Sequence, residues 1–257
     1  MRSIYRGWRP ASLALAASVS LAGCGLKPPA FLDFSATGST TPARAAQKPA
    51  PLADRYNLDP DNRDNAIAYA TALWQDGRAA QAVTVMERAS QRYPGDRAVM
   101  AAYGKALAAQ GSLPEALEKI RDAGSPDQPD WRLLSAEAAV LDQMGENTAA
   151  RKLYHQALTL APNQPSVLAN LGLSHAMTGD LAEAEKMLRR AVAQPGADSK
   201  VRQNLALIVG LRGRYDEAER LARSELSPDL ASANTAYVKT VLASSRARPN
   251  LRKAAAR

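Results

Sequence analysis

The sequence predicts an all-α solenoid of about five helix–turn–helix units, closed by a C-terminal capping helix. Three observations carry this. A glycine recurs every 34 residues, at Gly77, Gly111, Gly145, Gly179 and Gly213. Small residues keep step with it: Ala70, Gly104, Ala138, Gly172 and Ala206 before it, and Ala82, Ala116, Ala150, Ala184 and Ala218 after it. The 257 residues are 46% apolar with only 2 phenylalanines, and Ala, Leu, Glu, Arg and Gln are abundant, which favours helix over sheet. A fixed period with several positions in phase marks a repeat array.

In chain order, residues 1–23 read as an export signal. Residues 1–10 carry Arg2, Arg6 and Arg9 and no acid; residues 11–22 are apolar and uncharged. About 12 apolar residues is the length of a signal-peptide core and too short to span a bilayer as a stable helix. Then comes Leu21-Ala22-Gly23-Cys24: an aliphatic residue, two small ones, and the single cysteine of the chain. This run resembles a bacterial lipobox. The resemblance implies cleavage before Cys24, a diacylglycerol on its sulfur and an acyl chain on its new amine. Each buried CH₂ contributes about 0.8 kcal/mol, so several chains make a lasting anchor. The competing reading is an ordinary secretory signal cut nearby, with Cys24 a plain thiol. In lipoproteins an Asp after the cysteine directs retention in the inner membrane. Gly25 stands there, so the resemblance implies the outer membrane of a Gram-negative bacterium, on its periplasmic face.

Residues 24–62 hold Pro28, Pro29, Pro42, Pro49, Pro51 and Pro60 among Ala, Ser, Thr and Gly, with no apolar period. They are expected to form an extended, semi-flexible tether.

From 63 to 245 the repeat governs, with units starting near 63, 97, 131, 165 and 199 and a cap over 229–245. Each unit is expected to be two antiparallel helices, the glycine ending the first where φ can turn positive. Larger residues fill the gaps between units: Leu73, Leu107, Leu141 and Val209 on first helices, and Met86, Ile120, Tyr154 and Leu188 on second helices. No single pair buries its apolar faces; stacking completes the core. Three positions depart from the pattern. Glu137 and His175 stand where apolar residues are usual, and Glu225 replaces an alanine. The last two are expected where an array nears its end and turns a polar face to solvent, and His175, at a core position, is expected to be a partly buried packing histidine. The cap is expected to pack through Leu230, Tyr237, Val241 and Leu242. The basic stretch 246–257 is expected to be disordered.

This spacing resembles the tetratricopeptide repeat, over residues 63 to about 230. The motif is specific for a fold and unspecific for a task. The resemblance implies a concave groove lined by the first helices that takes protein segments. It places Ile67, Trp74, Lys105, Arg132, Leu173, Met177, Gln203, Leu207 and Leu211 on that groove. The Lys/Asn and Lys/Arg set with which co-chaperones of this fold grip a C-terminal carboxylate is absent, because Ile67 and Thr71 occupy the first clamp positions. The groove therefore suits an amphipathic helix or an apolar peptide.

The net charge of +8 invites a nucleic-acid reading, but the charge sits at the ends. Residues 1–23 carry +3, residues 246–257 carry +5 through Arg246, Arg248, Arg252, Lys253 and Arg257, and residues 63–245 hold 21 bases and 21 acids. A nucleic-acid-binding domain concentrates its excess on a folded face, so no nucleic acid is expected. The basic tail remains a second candidate for holding an acidic partner or anionic lipid. One cysteine and two histidines exclude a disulfide framework and leave little for a metal centre. No phosphate loop, H-E-x-x-H or G-x-S-x-G occurs, so no enzyme activity, small-molecule substrate or cofactor is expected beyond the lipid on Cys24. His155 and His175 lie on different units. Glu183 and Glu185 are expected on a solvated helix face with partners such as Arg189.

The last unit reads V-R-Q-N-L-A-L-I-V-G-L-R-G-R-Y-D-E-A-E-R-L-A-R from Val201 to Arg223, followed by S-E-L-S-P-D-L-A-S-A-N-T-A-Y to Tyr237. With the lipobox and the Pro-rich stretch, this run is similar to the TadD lipoproteins of tight-adherence (Flp-type) pilus systems. That resemblance implies scaffolding of pilus assembly, with the secretin or other machine subunits as partners. The alternative is a general periplasmic adaptor that recruits a peptidoglycan hydrolase, a protease or an outer-membrane assembly factor.

Overall fold

A computed structural model describes residues 49–240, which form twelve helices and no strand. The export signal, Cys24 and the 246–257 tail lie outside the described residues. Helix α1 (Pro49–Leu58) precedes five antiparallel pairs: α2 (Arg63–Gln75) with α3 (Ala79–Arg92), α4 (Arg97–Gln110) with α5 (Leu113–Asp122), α6 (Trp131–Gln143) with α7 (Asn147–Leu160), α8 (Pro165–Met177) with α9 (Leu181–Val192), and α10 (Ser199–Leu211) with α11 (Tyr215–Arg223). A last helix, α12, occupies residues 228–240.

Local chemistry sets the starts and stops. Asn62, Asp96, Asp130 and Asp198 each accept hydrogen bonds of 2.8–3.1 Å from N–H groups in the first turn of the helix they precede. Those donors have no partner within the helix, so the caps hold each first helix in register. Gln164 breaks the series without a cap, but Pro165 opens α8 with its φ already set for helix. At the other end the recurring glycines have φ from 78° at Gly77 to 98° at Gly111, a region that side chains disfavour. The chain reverses there within two or three residues.

The small residues set how closely paired helices approach. A Cβ added at Gly104 would lie 2.6 Å from Ile120 Cγ1 and 3.0 Å from the Ala116 carbonyl oxygen. At Gly172 it would lie 3.0 Å from the Ala184 carbonyl oxygen. Ala138 and Ala150 are fully buried in the same core cluster. The larger column residues Leu73, Leu107, Leu141, Val209, Met86, Ile120, Tyr154 and Leu188 are all buried and join successive pairs.

The backbones of first helices of neighbouring pairs approach one another (α2–α4, α4–α6, α6–α8, α8–α10), whereas those of second helices stay farther apart. The array is therefore tighter along the first helices, which form its inner, concave side.

Several expectations need correction. The stretch 24–62 is not tether throughout. From Pro49 it forms α1, which packs on α2 through Leu52, buried, and Tyr56, whose ring lies 5.3 Å from that of Tyr69. Leu52 stands 34 residues before Met86, and Pro60 34 before Pro94, so α1 acts as the second helix of a half-unit. Glu225 does not face solvent: its side chain is 13% exposed, bonded to Arg202, in the turn after α11. His175 is partly buried, as expected of a packing histidine, with Nδ1 3.5 Å from Asp180 Oδ2. Glu137 holds its column place by pairing with Arg121 of the preceding unit at 2.8 Å. Glu185 is not on a solvated face but 4% exposed, ringed by Arg189, Arg212 and Arg214. Helix α12 packs through Ala231, Thr235 and Val238, with the expected Tyr237 partly buried beside Val238, while Leu230 is 56% exposed; Val241 and Leu242 lie outside the described residues.

Candidate functional site

The expected groove residues fall into separate settings. Ile67 and Trp74 are half-buried against the α2–α4 core. Lys105 is half-buried on α4 with no carboxylate in ion-pair range among the described residues. Burial lowers its ammonium pKa, and Arg132 adds to this while Asp130 opposes it. Arg132, on the first turn of α6, lies 4.6 Å over the Trp131 ring. Gln203 is half-buried and Leu207 buried. They line a crevice of about 20 Å³ beneath α12, with Asn234, Thr235 and Val238, and Leu207 is buried against Val238. Leu211 is half-buried beside them. On α10, therefore, α12 covers the concave face at Leu207.

Leu173 and Met177 come together on α8, at a pocket of about 50 Å³ shared with Ala139, Asp142 and Gln143 of α6, Tyr154 of α7 and Asn170. Its polar side was not singled out from the sequence. Asp142, 6% exposed, accepts 2.8 Å hydrogen bonds from Asn147 Nδ2 and Ser174 Oγ, and Tyr154 hydrogen-bonds the same carboxylate. Burial pushes the Asp142 carboxyl up and the Tyr154 phenol well above its ordinary range. Asn170 Nδ2 lies 3.4 Å from Ser135 Oγ. These bonds tie α6, α7 and α8 into one polar knot at the pocket floor. The signal for it was in the columns: Asp142 is an acid where the other units have Trp74, Ala108, Ala176 and Gly210, and Tyr154 brings a hydroxyl into a column of Met86, Ile120 and Leu188. Among the described residues no group of acids, histidines or cysteines is placed to hold a metal, and no helix is long and apolar enough to cross a membrane.

What the arrangement offers is a curved row of helices with an open, partly apolar pocket, a surface for holding polypeptide. Comparisons with known proteins agree on the fold. Tetratricopeptide-repeat models match residues 67–130, 143–208 and 204–224. An uncharacterized protein, y4yS, of Sinorhizobium fredii is 33% identical over 118 residues, 46% of this chain; the match spans 64% of that relative's length. Among solved structures, the thermophilic repeat protein TTC0263 of Thermus thermophilus superposes with a TM-score of 0.60 at 22% identity, covering 70% of this chain and all of that one. The APC/C hetero-tetramer Cut9–Hcn1 gives 0.60 at 16% identity over 86% of this chain and 42% of its own. At those identities the likeness is one of fold. Sequence period, helix pairing and these matches converge: the chain is a tetratricopeptide-repeat protein.

Proposed function

We propose that the protein is a non-enzymatic lipoprotein of the outer membrane, facing the periplasm, whose repeat array scaffolds assembly of a tight-adherence pilus secretion machine. The observation that carries the scaffold role is the concave row of first helices with its open Leu173–Met177 pocket. Repeat proteins of this fold generally bind protein partners and generally do no chemistry. The membrane anchor rests on Leu21-Ala22-Gly23-Cys24, and the pilus assignment on the run from Val201 to Tyr237 with its lipobox and Pro-rich stretch. The secretin, or another subunit of that machine, is the expected partner.

Each part has its own test. Cys24→Ala should leave the precursor unprocessed and remove palmitate labelling; normal outer-membrane fractionation of that variant would overturn the anchor. Deleting the gene should abolish surface pili and reduce secretin multimers. Normal pili and multimers in the deletion strain would overturn the pilus role and leave the general-adaptor reading in its place.

A further inference from the structure

Asp142 is a feature of the open groove that packing alone does not require. A buried carboxylate is costly unless it is both hydrogen-bonded and paired with a cation. Here its donors are neutral: Asn147, Ser174 and Tyr154. Among the described residues no lysine or arginine makes an ion pair with it; Arg151 acts on it only through its charge at longer range, its Nη1 being bonded to Ser174 O and Thr178 Oγ1, each at 3.2 Å. The carboxylate also lines the pocket of about 50 Å³, where a single water needs about 10–15 Å³. The space admits an ammonium and its last methylenes. The rest of the lining fits such a visitor: Leu173 and Met177 give apolar walls along which an alkyl stem can lie.

We infer that this pocket receives a lysine side chain of the bound partner, its ammonium on the Asp142 carboxylate and its methylenes along Leu173 and Met177. Lysine fits better than arginine for a geometric reason. Oδ1 already accepts two hydrogen bonds, and Tyr154 takes further capacity. A point-charge ammonium needs one remaining lone pair, whereas the guanidinium fork wants both oxygens free. The inference rests on the groove being a protein-binding surface, and the test separates the two.

A phage-displayed library of random dodecapeptides is panned against the full chain, as wild type and as Asp142→Asn. Wild type should enrich lysine at one peptide position by roughly tenfold, and Asp142→Asn should not, since close charge pairs in interfaces couple at least that strongly. Should Asp142→Asn fold poorly, Gln143→Lys replaces it: this exposed rim residue would bring its own ammonium to Asp142 and remove the lysine preference without lowering the melting temperature. Wild-type peptides rich in apolar or acidic residues without lysine would overturn the lysine pocket and leave the groove standing. Arginine in place of lysine, or equal lysine enrichment by Gln143→Lys, would also overturn it. No enriched peptide at all would overturn the groove reading and this inference together.

Discussion

Single residues show where this array is tight and where it is loose. Gly104 sits where any Cβ meets Ile120 and the Ala116 carbonyl, whereas a Cβ at Gly210 would make ordinary contacts of 3.4 and 3.5 Å with Ala218 and Val238. Overpacking costs about 1–3 kcal/mol, and replacing glycine inside a helix returns about 0.5–1 kcal/mol. Gly104→Ala should therefore destabilise by about 1–2 kcal/mol and Gly210→Ala should be neutral or stabilising, as read by urea melts. Glu185 is the second such residue. Burial pushes its carboxyl up, but hydrogen bonds from Arg214, Arg212 and Arg189 overcome this and hold it at about 2, against an ordinary 4.5. A carboxyl depressed by folding adds stability above its unfolded pKa and loses it as pH falls through the folded value. The shift corresponds to about 3 kcal/mol, reduced to about 1–2 kcal/mol because the arginines are 37–46% exposed. Melting temperature should fall from pH about 5 to about 2. Glu185→Gln should melt lower at neutral pH and lack that share of the acid dependence.

Between elements, the decisive contacts are the crossings and the caps. Ala150 is fully buried where α7 joins the central core, while Gln143 is exposed. Ala150→Trp should lower the melting temperature clearly and Gln143→Trp should not; equal melting of the two would mean that the helix faces are misassigned. Helix α12 gives a sharper comparison, because periodicity alone favoured Leu230 as a packing residue. Its buried face runs through Ala231, Thr235 and Val238, and Leu230 points outward. Val238→Ala should cost about 1–2 kcal/mol and Leu230→Ala close to nothing, measured by thermal unfolding of each. The half-unit α1 was missed for a related reason. Pro49 and Pro51 open a helix as readily as they stiffen a tether, since a helix's first turn needs none of their absent donors. Burial of Leu52 against α2 tips that choice.

For the whole molecule, each pair contacts only its neighbours, so stability is a chain of local terms. The middle is stapled most heavily. The largest core cluster runs from α6 to α11, the Asp142 knot joins α6, α7 and α8, and Arg189 bridges Glu185 to Glu217 at 2.5 Å across α9 and α11. Hydrogen exchange should therefore be slowest in α6–α9 and fastest in α1 and α12, with protection decaying toward both ends. Uniform protection along the array would show that it opens as a single unit.

The sequence by itself determined the repeat: its 34-residue period, the class of every helix pair, the glycine turns and the small-residue crossings. These are legible because each depends on a residue's own backbone freedom or volume, recurring at fixed spacing. Only the tertiary structure decided which polar residues are buried and who satisfies them. Glu185 and Glu225 looked like surface or end residues and Glu137 like an acid in an apolar column, and each is held by arginine: Glu137 by Arg121 of the preceding pair, Glu225 by Arg202, and Glu185 by Arg189 of its own helix and by Arg212 and Arg214 of the next pair. Asp142 became part of a pocket because Ser174, 32 residues on, and Tyr154 converge on it. Leu207 left the groove because α12 folds back over α10. A charge or an exposed face acquires its meaning from what lies across the crossing, and that partner is set by how successive pairs stack.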